Sequence, residues 1–336
     1  MDKESKIIIT GAAGFIGSCM VSFLNEEGFK NLILADEFGD AEKDHNLHSK
    51  KFSIKVEREN LFAWLKKEKP EVKFVFHLGA RTDTTEFDYS IHEHLNVEYS
   101  KKIWHYCTEN NIPVVYASSA ATYGAGELGY KDDHAIVEKL QPLNPYGISK
   151  NEFDKWALKE AGEQSQPPFW AGVKFFNVYG PNEYHKARMA SMIFHSYHQI
   201  KQNGFVKLFK SHKEEFKDGE QLRDFIYVKD VVKMCYWFCQ WSTVNDQRSI
   251  QSGIYNIGTG ESRSFNDLVN AVFAALDVTS NIQYVDMPSD LRDTYQYFTE
   301  AEMQKIKNAG YNFPLNTLEE GVCDYVKNYL SKNVFY

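Results

Sequence analysis

Residues 6–17 read KIIITGAAGFIG. Ile7, Ile8 and Ile9 form a short β-branched run, which predicts a buried strand. Gly11, Gly14 and Gly17 follow at GxxGxxG spacing, and an amphipathic pattern then runs from about Phe15 to Glu27. Glycine at the strand end lets the chain turn sharply and approach a pyrophosphate, and a helix N-terminus offers free N–H groups. A second apolar run, 31–36, ends in Asp36, 19 residues after Gly17. Strand, glycine turn, helix, strand and terminal acid together predict a dinucleotide-binding unit. An acid at that place bonds an adenosine ribose diol, which favours NAD. Lys43 and Arg58 stand in the adjoining segments, each able to meet a 2′-phosphate, so the choice between NAD and NADP stays open.

The alternation continues outward. Residues 59–67 and 86–110 predict helices, and 73–80, 112–119 and 168–180 predict strands. A helix is expected from Tyr146 to about Glu163, and a polar loop over 38–51. The fold class predicted is α/β: a Rossmann-type, doubly wound parallel sheet with a smaller C-terminal α/β domain. The dinucleotide-binding domain is placed at 1–177, with 225–258 returning to it. Residues 178–224 and 259–336 are assigned to the second, substrate-binding domain. Strand-then-helix patterns at 222–238 and 253–276, and a helix at 316–331, belong to this half.

The chain has 336 residues and a net charge of -8, with lysines and arginines scattered. No basic stripe suits nucleic acid. Five cysteines at irregular spacing match no disulfide framework or zinc site, and a reducing compartment is expected. No apolar run approaches the roughly 18 residues of a membrane span. A soluble, cytoplasmic protein acting on a small molecule is the reading.

Residues 144–150, NPYGISK, place Tyr146 and Lys150 four apart at a helix start, on one face. A phenol is a poor base near neutrality, and a neighbouring ammonium favours its phenolate. Ser119, at the end of VVYASS, can bond the reacting oxygen from a third side. Tyr146, Lys150 and Ser119 are therefore the candidate catalytic residues.

GAAGFIG, HLGA, YASSAATYG, NPYGISK and FFNVYGP together resemble the extended short-chain dehydrogenase/reductase family, over nearly the whole chain. The resemblance implies a nicotinamide cofactor lying along Gly11, Gly14, Phe15, Ile16, Gly17, Asp36, Glu37, Lys43, Arg58, Leu78, Gly79, Ala80, Arg81, Asn96, Tyr146, Lys150, Val178 and Lys186. Asn177 lies at the nicotinamide and substrate, and His77 heads the stretch along the cofactor. Dehydratases of the family carry Asp-Glu after a threonine at the place of Ser119. Ala120 and Ala121 stand here instead, so an elimination is not expected.

Within the family, residues 182–192 (NEYHKARMASM), with LFK, LRDFIYVKDV, NIGTGESRSF and YQYFTEAEM, resemble the epimerases that invert C6 of an ADP-linked heptose of lipopolysaccharide cores. That resemblance implies Lys186 as a second base, His185 as its substitute, and a tightly bound cofactor, NADP by family habit. Ser119, Asn177, Arg188, His195, Phe209, Arg223 and Tyr295 are implied at the substrate. Arg223 is expected on the diphosphate, or else in a salt bridge with Asp224 or Asp230. Arg188 departs from the small residue common there. The competing reading is a UDP-hexose 4-epimerase-like enzyme. A homo-oligomer is expected.

Overall fold

The computed structural model describes residues 1–84, 86–242, 250–288, 292 and 296–336. Six strands alternate with helices: β1 Lys6–Thr10, β2 Leu32–Asp36, β3 Ile54–Glu57, β4 Val72–His77, β5 Val114–Ser119 and β6 Trp170–Phe175. After them come β7 Asn177–Tyr179, β8 Val206–Phe209, β9 Leu222–Tyr227, β10 Gly253–Ile257, β11 Ser262–Ser264 and β12 Ile282–Val285. Seven form one sheet in the order β10-β6-β5-β4-β1-β2-β3, parallel throughout. The order reverses beside β1, so a crevice opens at the carboxyl ends of β1 and β4.

The apolar run in β1 is explained by helices on both faces. Ile7 and Ile9 enter one core and Ile8 the opposite one, all fully buried. Each contributes roughly 1.5–3 kcal/mol of burial. Helix Phe15–Glu26 packs against helix Val228–Ser242 on the first face. Helices Leu61–Glu68, Tyr99–Glu109 and Pro145–Gly162 supply the second core through Leu61, Ile103, Trp104 and Phe153.

Three expectations are corrected. The run 168–180 is two strands, because Phe176 donates its N–H to Ile257 at 3.1 Å and the chain then leaves the sheet. β7 pairs instead with β9, in a three-stranded sheet with β11. The helix expected over 86–110 starts at Tyr89 and contains a π-turn, Glu93–Glu98. The loop over 38–51 contains two short helical turns. Among the described residues, no helix is long and apolar enough to cross a membrane.

Candidate active site

The glycine loop owes its shape to close backbone approach. A Cβ on Gly11, which has φ +67°, would lie 2.5 Å from the Gly79 Cα, and one on Gly17 would lie 2.0 Å from the Gly11 oxygen. Side chains there would push β1 from β4 and lift the first helix off the sheet. No side chain caps the helix at Gly14. A cleft of about 220 Å³ runs along this loop, lined by Gly11, Gly14, Phe15, Ile16, Gly17, Asp36, Lys43, Arg58, Leu78, Gly79, Ala80 and Lys186, among others. A glycine cradle beside an uncapped helix start fits a dinucleotide pyrophosphate.

Asp36 is buried and turned inward. It accepts the Ala13 N–H and the Glu37 N–H, both at 2.8 Å, and pairs with Lys43 at 2.5 Å. Arg58 pairs with Glu37 at 3.0 Å and Glu59 at 3.2 Å. Asn96 does not line the cleft. It sits fully buried in the π-turn, accepting the Arg81 N–H (2.7 Å) and donating to the Arg81 oxygen (3.0 Å) and Ser149 Oγ (2.9 Å). Ser149 Oγ donates in turn to the Tyr146 oxygen at 2.7 Å, so Asn96 ties the post-β4 loop to the helix bearing Tyr146. The Arg81 guanidinium points to Asp83, 3.5 Å away. His77 is buried between Thr10 Oγ1 (2.6 Å) and Ser100 Oγ (2.8 Å), and burial holds its pKa down at about 3. It is a neutral core histidine.

A second cavity, about 430 Å³, lies deeper, lined by Ser119, Tyr146, Asn177, Val178 and Lys186 with Thr82, Thr84, Gln296 and Thr299. The cavities share Phe15, Ile16, Thr82 and Lys186. Asn144 caps the helix start through Gly147 N–H at 2.8 Å, with Pro145 in the first turn. Gly147 permits tight packing, since a Cβ there would lie 2.8 Å from the Ala121 oxygen. That contact brings Tyr146 to Ser119. Burial pushes the Tyr146 phenol up, and its hydrogen bond with Ser119 pulls against the rise. Lys150 stands behind, donating to the Ala117 oxygen at 2.8 Å. Burial lowers its pKa to about 8 while the nearby Asp154 charge opposes the shift.

Asp154 was not anticipated. It is fully buried one turn beyond Lys150 and accepts from Lys174 (2.6 Å), Ser118 Oγ (2.7 Å) and Tyr116 OH (3.1 Å). Lys174, also buried, donates further to Thr122 Oγ1 at 2.6 Å. A lysine inside the apolar strand WAGVKF was the legible signal, since such a charge requires a partner.

Lys186, which lines the same cavity as Tyr146, rides on a 3₁₀ segment, Tyr184–Met189, broken at Ala187 (φ 47°, ψ -126°). Its ammonium lies 5.2 Å from the Phe15 ring centroid. Burial lowers its pKa, and Glu183 raises it in part. Glu183, fully buried and likewise unanticipated, accepts from Ser191 N and Ser191 Oγ, each at 2.6 Å. His185 faces Asn46 at 3.2 Å and the glycine-loop cleft, with its pKa lowered to about 4 by burial. It does not line the deeper cavity, and Lys186 does.

Four residues expected at the substrate do not line the deeper cavity. The Arg188 side chain is 70% exposed and 4.0 Å from Asp83. His195 bonds the Arg188 oxygen at 3.3 Å. Phe209 ends β8, paired with Val285. Arg223 lies one layer behind, donating to the Leu222 oxygen (2.8 Å) and the Gln296 oxygen, its guanidinium 5.8 Å from the Phe265 centroid. Asp224 instead gathers N–H groups of Thr259, Gly260 and Ala301, and Asp230 holds Asn316. Tyr295 lies outside the described residues.

The chain is similar to curated ADP-L-glycero-D-manno-heptose-6-epimerases. One from Fusobacterium nucleatum is 50% identical, covering 98% of this chain and 99% of that one. One from Nitratidesulfovibrio vulgaris is 45% identical, covering 96% and 98%. The solved structure of the Helicobacter pylori ADP-L-glycero-D-manno-heptose-6-epimerase superimposes with a TM-score of 0.78 at 27% identity, covering 97% of each chain. The sequence model of the NAD dependent epimerase/dehydratase family matches residues 7–258. With this glycine cradle and the Ser119–Tyr146–Lys150 cluster beside it, the chain belongs to the NAD dependent epimerase/dehydratase family.

Proposed function

We propose that this protein inverts C6 of the heptose in ADP-D-glycero-β-D-manno-heptose, giving the L-glycero epimer. The carrying observation is a single cavity lined by Tyr146 and Ser119 together with Lys186. A carbinol carbon has no acidic C–H, so inversion passes through a ketone. Each face then needs its own proton acceptor and donor. A bound nicotinamide supplies the acceptor and later donor of the C6 hydride. Tyr146, backed by Lys150 and hydrogen-bonded to Ser119, takes the hydroxyl proton in one orientation. Lys186, its charge disfavoured by burial, does so in the other. Asn177, Gln296, Thr299 and Thr82 offer hydrogen bonds to sugar hydroxyls. Arg223 donates to the Gln296 oxygen behind this lining.

Lys43 and Arg58 both border the cleft beside Asp36, whose carboxylate is engaged with Ala13, Glu37 and Lys43. Lys43 and Arg58, paired here with Asp36, Glu37 and Glu59, are the groups that would turn to a 2′-phosphate, and NADP is the dinucleotide of this reading. Residues 1–177 with 225–258 hold it, and 178–224 with 259–336 hold the sugar nucleotide. A cytoplasmic homo-oligomer is part of this reading.

The test is turnover of the purified protein on a panel of ADP-D-glycero-D-manno-heptose, UDP-glucose and UDP-galactose. Selective conversion of the ADP-heptose is expected. Turnover confined to the UDP-hexoses would replace this reading with a 4-epimerase.

A further inference from the structure

The Lys186 segment is irregular, yet one residue fastens it. Asn182 is fully buried with φ +74°. Its amide nitrogen donates to Ser18 Oγ at 2.9 Å and to the main-chain oxygen of Tyr336 at 3.0 Å. Its amide oxygen accepts the Tyr336 N–H at 2.9 Å. The Asn182 main-chain oxygen accepts from Asn46 Nδ2 at 3.0 Å, and that same amide reaches the Ala13 oxygen of the glycine loop at 2.9 Å. Asn182 thus joins the first helix, the glycine loop and residue 336 at one point, four residues before Lys186.

Residues 334–336 lie along the segment. Tyr184 OH donates to the Val334 oxygen at 2.8 Å, and the Tyr184 and Phe335 rings meet edge-on at 5.0 Å. Lys50 donates to the Tyr336 main-chain oxygen, and Tyr336 OH donates to Glu26 at 2.9 Å. At its far end the segment is closed by Glu183 on Ser191. Between these fixed points lies the break at Ala187, and the local main-chain bond of the Lys186 N–H runs back to the Glu183 oxygen at 2.9 Å, on the Asn182 side of the break.

We infer that residues 334–336 form a strap in which the Tyr336 main chain, acting through Asn182, is a positioning group for Lys186. The inference rests on the reading of Lys186 as the second acid–base residue. It places the Lys186 ammonium in register with the glycine loop, so both ends of one reaction are held to one frame. The grip on Asn182 is main-chain, so it depends on the presence of residue 336 more than on its phenol.

The experiment compares four variants of the cofactor-loaded protein on ADP-D-glycero-D-manno-heptose: removal of residues 334–336, Asn182→Gly, Tyr336→Phe and Lys186→Met. Glycine keeps the positive φ and removes only the amide. A displacement near 1 Å costs a reacting group on the order of 100-fold, so the truncation and Asn182→Gly are expected to lower kcat by about 10- to 100-fold. KM stays within about 3-fold, because the lost interaction acts on the chemical step. Tyr336→Phe retains both main-chain bonds and keeps wild-type kcat. If the truncated chain does not fold by circular dichroism, Asn182→Gly decides. Wild-type kcat in Asn182→Gly, or in a folded truncated chain, together with a Lys186→Met slowed about 100-fold would overturn the strap. A Tyr336→Phe as slow as the truncation would overturn it too, by placing the effect in the phenol. Wild-type turnover by Lys186→Met would instead remove the reading on which the strap rests.

Discussion

The two sides of the deeper cavity are built differently. Tyr146 and Lys150 stand on an 18-residue helix, capped by Asn144 and pressed onto the 119–121 turn at Gly147. Lys186 stands on a six-residue segment broken at Ala187 and fastened by contacts from residues far away in sequence. One side draws its geometry from helical periodicity, and the other from tertiary ties. The first is legible as a spacing, and the second only as a resemblance. Under the proposed reading, substitutions on the helix side remove chemistry outright, whereas the loop side is sensitive to its remote supports.

The largest expected effect is at Tyr146. Tyr146→Phe removes the acid–base group while keeping the ring, and kcat should fall about 10³- to 10⁴-fold. An equal fall in kcat and KM, leaving kcat/KM intact, would break the comparison. The next is thermodynamic. Asp154→Ala strands the Lys174 charge in the core beneath the helix side, and denaturant unfolding should show a loss of about 3–5 kcal/mol. A change under about 1 kcal/mol would mean that the buried pair is not what stiffens that side.

Lys186→Met should lower epimerisation by about 100-fold, yet leave reduction or oxidation in the Tyr146-served orientation measurable in single-turnover experiments. Equal loss in both orientations would erase the distinction between the two sides. A smaller effect is expected at the cofactor end. Lys43→Ala should weaken NADP relative to NAD by about 10-fold, measured by fluorescence titration, if its ammonium meets a 2′-phosphate. The smallest is a pH effect. His77 has its folded pKa depressed to about 3, below the ordinary value near 6.5, so the unfolded chain binds the proton first. Stability is therefore unaffected above about pH 6.5 and falls as pH drops from there toward 3, by about 1 kcal/mol between pH 6.5 and 5.5 from this residue alone. His77→Asn should flatten that part of the profile.

The alternating half of the fold was legible because its signals are local: Ile7–Ile9 between two helical faces, glycines that no side chain can replace, and Asp36 closing β2. Tyr146 and Lys150 were legible for the same reason. β3 escaped notice because Ile54–Glu57 is short, polar and at the sheet edge, with Val56 its one buried side chain. The split at Phe176 escaped because an unbroken apolar run carries no mark of which sheet each residue joins. Asp154, Glu183 and Asn182 are polar residues whose importance comes from burial against distant partners, and spacing alone does not report burial. Arg223 does not line the cavity, and Gln296, whose oxygen it bonds, does.

The most direct measurement is to incubate the purified protein with ADP-D-glycero-D-manno-heptose in deuterated water, without added cofactor, and follow C6 by NMR. Inversion through a ketone with return of the same hydride predicts the L-glycero epimer with protium retained at C6. Deuterium at C6, or no inversion even after NAD and NADP are supplied, would contradict it.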